Sequence, residues 1–177
     1  MSDLKDLEAR IKRLEDLEAI KRAKYKYFRC IDKGLWDEIG SCFTEDALAD
    51  YGPESKIKGR AEITKFFKEM IGPAFSMCVH QGHNPEIDLT SDKTAKGQWE
   101  LDNFMVTSDP TKGIWIAAFY DDEYAKEKGE WKIKMTKVIF IFRSDLEKGW
   151  AKEKMTPTGS PSYLFDRAKG AAIIASE

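Results

Sequence analysis

The sequence predicts an α+β domain in which helices come first and a curled antiparallel sheet follows. Apolar residues recur at three- and four-residue steps across positions 3 to 33, the signature of a long amphipathic helix. From Ile87 onward the spacing changes to period two in long consecutive runs joined by short polar connectors, which describes an antiparallel meander. A chain of 177 residues, 42% hydrophobic and 12% aromatic, is also the right size to fill one core.

The helix is marked by Leu4, Leu7, Ile11, Leu14, Leu17, Ile20, Ala23, Tyr27 and Ile31, in one piece or two. Ser2 and Asp3 can cap its start, and Lys33-Gly34 suits its end. Its first four apolar positions form a strict heptad flanked by charges, which fits either a short coiled-coil seam or packing on the parent domain. Leu35 to Phe43 reads as a short helix, Ala47 to Tyr51 as a short strand broken at Gly52-Pro53-Glu54, and Ala61 to Ile71 as a helix ended by Gly72-Pro73. Ile87 and Leu89 mark a strand after the turn-prone Asn84-Pro85. Thr94 to Val106, Ile114 to Tyr124 and Trp131 to Arg143 make three more, with hairpin loops at 108–113 and 126–130. The expected organisation is a cone domain over residues 1–148, of which 1–16 are a helical extension, and a C-terminal extension over 149–177. A sheet with aromatics on both faces should wrap around the helices and leave an open mouth for a small apolar molecule.

Charge and composition narrow the function. With 29 Lys+Arg against 31 Asp+Glu the chain has neither a polybasic arm for nucleic acid nor an acidic tail. Apolar runs such as Val138 to Phe142 are far too short to span a bilayer, and the charged N-terminus has no apolar signal core. The expectation is a cytoplasmic protein with no nucleic-acid or membrane partner. Cys30, Cys42 and Cys78 are odd in number and not closely spaced, so they read as buried hydrophobes rather than a disulfide framework or metal site. There is no glycine-rich phosphate loop and no Gly-x-Ser-x-Gly elbow, so neither a nucleotide cofactor nor a serine-hydrolase mechanism is supported.

Proton chemistry is the remaining option. The two histidines, His80 and His83, lie in Val79-His80-Gln81-Gly82-His83-Asn84-Pro85, and histidine titrates near neutral pH. In a strand they face opposite sides unless Gly82 bulges the backbone, and without a nearby acidic cluster the spacing is a weak metal signal. Asp32 sits near a helix C-terminus, where the dipole disfavours a carboxylate. It is either a solvated helix end or the partner that fixes a histidine tautomer. Asp102, within an otherwise apolar strand, and Arg143, at the end of another, would meet or bind polar substrate groups if both turn inward; the alternative is that they face solvent. Tyr27 and Tyr51 are the nearest phenols.

The segments Glu18-Ala19-Ile20-Lys21, Tyr27 to Asp32, Trp36-Asp37-Glu38 and His80 to Ile87 resemble the SnoaL-like group of the nuclear transport factor 2-like superfamily. Within it the chain is most similar to the bile acid 7α-dehydratase family and more distantly to scytalone dehydratase and a hexachlorocyclohexane dehydrochlorinase. The likeness runs from about Leu17 to Arg143. It implies an α+β cone of the cystatin-like type, assembled as a trimer or dimer, enclosing a lyase site with no cofactor and no metal. Its helix tyrosine and aspartate, strand tyrosine and histidine match Tyr27, Asp32, Tyr51 and His83, and an aspartate and an arginine of the bile acid enzymes match Asp102 and Arg143. Asp102 and Arg143, together with Trp99 and His80, are the candidate substrate-binding residues. The stretch between Met105 and Ile114 and the tail after Lys148 depart from that family, so the chemistry carries over better than the substrate.

The resulting expectation is a dehydratase acting on a small hydrophobic hydroxylated substrate, steroid-like in size, with His83 moving the proton and Asp32 orienting it. Loss of formaldehyde from a lignin-derived aromatic dimer, loss of halide, or a polyketide-cyclase-like reaction could use the same pair. The same cone could also be a non-catalytic binding module.

Overall fold

The computed structural model describes residues 2–52, 55–109 and 112–147. The C-terminal extension expected at 149–177 lies outside these residues, as do Pro53, Glu54, Pro110 and Thr111 of two expected turns.

One continuous helix, α1 (Ser2–Asp32), leads the chain. It ends where Gly34 takes φ +63°. The Gly34 N–H then bonds the Ile31 carbonyl and the Leu35 N–H the Cys30 carbonyl, which satisfies two of the free carbonyls of the last turn. A short α2 (Trp36–Ile39) and a tight turn, Gly40–Cys42, bring the chain to β1 (Phe43–Asp50). Then come β2 (Lys56–Lys58) and α3 (Arg60–Phe66), which continues through a wide π-type turn, Phe67–Ile71, and a last turn, Gly72–Ala74. Four long strands complete the described fold: β3 (Phe75–Leu89), β4 (Thr94–Thr107), β5 (Gly113–Glu127) and β6 (Glu130–Asp145).

The six strands form one sheet in the order β2-β1-β6-β5-β4-β3. All neighbours are antiparallel except β1 and β6, whose parallel pairing joins the early strand to the end of the meander. The meander expected from period-two spacing is present, and the helices lie against its concave face. Two differences stand out. The short β2 has no clear alternation in sequence and escaped the reading. Strand β3 starts twelve residues before Ile87 because Asn84-Pro85 does not end it: the register shifts between His83 and Glu86, and Asn84 takes φ 49°. Since β3 is an edge strand, a bulge absorbs a proline that cannot donate to the ladder.

The core is built from Ile20, Tyr27, Phe28 and Ile31 of α1 against Trp99, Leu101, Ile116, Ala118, Tyr120 and Ile133 of the sheet. The helix is pressed on β3 at Gly82, where a Cβ would sit 2.2 Å from the Phe28 ring, so only glycine admits this contact. Beneath the sheet runs a charged network that the sequence did not reveal. Lys24 and Asp122, both fully buried, pair at 2.8 Å. Asp122 also accepts hydrogen bonds from Tyr124 and Thr136. The Lys24 ammonium lies 3.4 Å from the centre of the Tyr120 ring. Burial pulls the Lys24 pKa down to about 8, the attraction of Asp122 only partly offsetting it. The heptad start of α1 does not pack on the domain: Leu4, Leu7, Ile11 and Leu14 are 62, 49, 48 and 66% exposed. Among the described residues no helix is long and apolar enough to cross a membrane.

Candidate active site

Between the helices and the concave face of the sheet lies a cavity of about 450 Å³. Its wall is mainly aromatic and aliphatic, with Phe66 and Phe67 at the helical side and Phe75, Leu101, Ile116 and Phe140 on the sheet. The polar functions that reach it are Tyr27, Tyr51, Tyr120, Ser55, Cys78, His80, Asn103 and Arg143.

Asp32 is the last residue of α1. Its carboxylate accepts the His80 ring at Nδ1, 2.6 Å from Oδ1, and the His80 backbone N–H at 3.1 Å from both oxygens. These donors supply the compensation that a carboxylate at a helix C-terminus otherwise lacks. The imidazole is further fixed by stacking on Phe28 at 5.6 Å and 17°. With Nδ1–H donated to Asp32, Nε2 is left as the nitrogen that carries the lone pair.

The expected partnership of Asp32 with His83 is therefore corrected: Asp32 holds His80. Strand alternation is the reason. His80 turns toward the cavity and its side chain is 10% exposed, whereas His83, three residues on, turns to the outer face and is 42% exposed. There it lies 3.4 Å from Asp102 and 3.4 Å from Glu100. The same alternation places Leu101, Asn103 and Met105 in the cavity wall and Asp102 outside, where it accepts the Trp115 indole N–H at 3.0 Å. Asp102 and Arg143 thus lie on opposite faces and do not meet. Trp99 also leaves the list of cavity residues. It is a core side chain whose indole N–H bonds the Tyr124 hydroxyl at 2.9 Å.

Tyr27 and Tyr51 do share the cavity, their hydroxyls 3.0 Å apart. The Tyr51 ring stacks on Phe66, and the Tyr27 ring meets Phe67 edge-on. Burial pushes the phenols of Tyr27, Tyr51 and Tyr120 above their ordinary value, so all three remain protonated donors at neutral pH. Burial likewise raises the Cys78 thiol to about 11.

Tyr120 and Asn103 are among the cavity residues that sequence reasoning missed, as are Ser55 and Cys78. Tyr120 and Asn103 follow from phase: on β5 and β4 every second residue faces inward, and the buried Trp99 and Leu101 set that phase for Asn103. Asn103 is 3% exposed, and neither its amide nitrogen nor its amide oxygen has a partner among the described residues. Among the described residues, no three His, Cys, Asp or Glu side chains are grouped to hold a metal ion.

Comparison with known proteins agrees with this architecture. An uncharacterised protein of Mycobacterium bovis is 22% identical over 121 residues, spanning 68% of this chain and 82% of that one. Among solved structures, a candidate scytalone dehydratase of Novosphingobium aromaticivorans superposes with a TM-score of 0.72 at 24% identity, covering 82% of this chain and 91% of the other. The hexachlorocyclohexane dehydrochlorinase of Novosphingobium barchaimii does so with a TM-score of 0.72 at 20% identity, covering 77% and 93%. At these identities the superpositions establish a common fold. The sequence profile of the SnoaL-like domain matches residues 12–137. With its helix-lined cone and the greater part of its length inside that match, the chain belongs to the SnoaL-like domain family.

Proposed function

We propose that the chain is a lyase that needs no cofactor and eliminates water from a cyclic hydroxy substrate, steroid-like in size. The observation that carries this reading is the Asp32–His80 pair at 2.6 Å, set in the wall of an apolar cavity. Nε2 of His80 takes a proton from a carbon next to a carbonyl or conjugated system. The C–H electron pair becomes the new double bond, the C–O bond breaks, and the departing oxygen takes that proton back from the His80 imidazolium to leave as water, which restores the neutral imidazole. The electrons balance without a redox partner. Asp32 stabilises the imidazolium that forms, and the coupled hydroxyls of Tyr27 and Tyr51 donate to the oxygen where negative charge develops. Arg143 shapes the polar end of the cavity.

The test is a panel of hydroxysteroids, hydroxylated ring ketones and aryl dimers incubated with purified protein, with product mass as the readout. Loss of one water supports the reading. On any compound that turns over, His80→Gln and Asp32→Asn should each lower kcat by about 10² to 10⁴, the usual scale of general acid-base catalysis, with far-UV circular dichroism unchanged. Near-normal turnover in both variants would end the assignment. Halide elimination is the second reading, favoured by the shared fold with the dehydrochlorinase. It would show as loss of hydrogen halide from a chlorinated ring, while recovery of every compound unchanged would favour a binding module.

A further inference from the structure

Strand pairing sets four cavity residues in one row across the sheet. His80 of β3 is opposite Asn103 of β4, Asn103 is opposite Ile116 of β5, and Ile116 is opposite Arg143 of β6. All four line the cavity. Neighbouring strands are about 5 Å apart, so backbone positions fall about 5 Å from His80 at Asn103 and about 15 Å from it at Arg143. The row therefore works as a ruler: a base, an amide one strand away, an aliphatic spacer, and a guanidinium at the far end.

Two features of this row suit a ligand. A buried amide with both of its polar atoms unpartnered is costly to keep in a folded protein, and Asn103 is such a group. It offers both a donor and an acceptor to whatever occupies the cavity. Arg143 is a solvent-exposed residue that also lines the cavity, and its guanidinium has no acidic partner among the described residues, so it is free to meet an anion there. Among the described residues no aspartate or glutamate lines the cavity either, since Asp32 sits behind His80 and Asp102 lies on the outer face. The cavity thus presents a guanidinium at one end and an imidazole at the other.

We propose that the substrate is a ring compound bearing a carboxylate, with the carboxylate held by Arg143 and a hydroxyl or carbonyl oxygen held by Asn103 beside His80. This substrate class rests on the lyase reading only for what happens after binding; the recognition itself does not need it. Guanidinium and carboxylate match as a two-pronged pair, and the aliphatic spacer at Ile116 faces the apolar ring.

The experiment measures binding by fluorescence titration of 6-hydroxy-2-naphthoate, whose two ends lie about two strand spacings apart. Its methyl ester and unsubstituted 2-naphthoate are the comparison probes. The native protein should bind the hydroxy acid about tenfold or more tightly than the ester, a difference of one charge-assisted contact. Arg143→Met should erase that preference. Asn103→Leu should keep it but lose the preference for the hydroxy acid over 2-naphthoate. Thermal unfolding of both variants checks that they fold. Equal binding of acid and ester by the native protein, an unchanged preference in Arg143→Met, or no saturable binding of any probe would each overturn the proposal. His80→Gln separates the two readings: it should retain the full carboxylate preference, so a panel without turnover would sink the lyase and leave the recognition standing.

Discussion

Lys24 and Asp122 give the sharpest test of the energetics of the fold. Both side chains are 0% exposed and their charges are 2.8 Å apart. The Lys24 pKa falls from 10.5 to about 8, so burial outweighs the attraction of its partner. A drop of that size corresponds to about 3 kcal/mol of penalty on the charged form. Lys24→Met should therefore not relieve the fold. It leaves the Asp122 carboxylate buried without its cation and should cost about 3–5 kcal/mol. The double substitution Lys24→Met with Asp122→Asn removes both charges while the amide can still bond Thr136 and Tyr124, and should return to within about 1–2 kcal/mol of native. Urea unfolding of the four proteins of the cycle measures these values. The pH dependence follows with a definite sign. Between about pH 8 and 10.5 the unfolded chain holds the Lys24 proton more tightly than the folded one, so this group's contribution to stability rises with pH across that window. The buried tyrosines and cysteines, whose values are raised, act in the opposite direction there. The Lys24 share is thus read as the difference between the native and Lys24→Met curves. A Lys24→Met variant as stable as native, or a double variant no better than the single one, would refute the reasoning.

Other outcomes follow from the same geometry. Gly82→Ala drives a methyl group to 2.2 Å from the Phe28 ring and should lower unfolding free energy by about 1–3 kcal/mol, whereas a neutral result would mean that α1 is not pressed on β3 there. Since burial holds the Cys78 thiol at about 11, little thiolate exists at neutral pH, and iodoacetamide should label this cysteine far more slowly in the native protein than in urea. Equal labelling rates would contradict the buried cavity wall.

Periodicity made most of the fold legible. The step from three-and-four spacing to period two located α1 and the meander, because each reports which face meets the core. It was silent on β2, three residues long, and on the parallel join of β1 to β6, which depends on contacts far apart in sequence. The candidate site was half legible. Asp32 could be singled out because the dipole disfavours a carboxylate at a helix C-terminus, and Tyr27 and Tyr51 as the nearest phenols matched by the family resemblance; the structure brings Tyr27 and Tyr51 into contact. Choosing between His80 and His83 required the phase of β3, and the apparent break at Asn84-Pro85 hid the fact that both lie in one strand. Asp102 was left open between turning inward and facing solvent, and only the family resemblance placed it in the site; the phase of β4 turns it outward and puts Asn103 in the cavity instead. Lys24 was invisible because a lysine in a charged helix is ordinarily solvated, and only Asp122, 98 residues later, gives it a buried partner.

The central claim is that Asp32 holds His80 with its proton on Nδ1 and its lone pair on Nε2. Long-range proton–nitrogen correlation NMR on labelled protein reads this directly, and with two histidines in the chain a His83→Gln variant completes the assignment. Neutral His80 should be the Nδ1–H tautomer, with a slowly exchanging proton that disappears in Asp32→Asn, while the His83 signals should not change with that substitution. A neutral His80 protonated on Nε2, or one unaffected by Asp32→Asn, would contradict the claim.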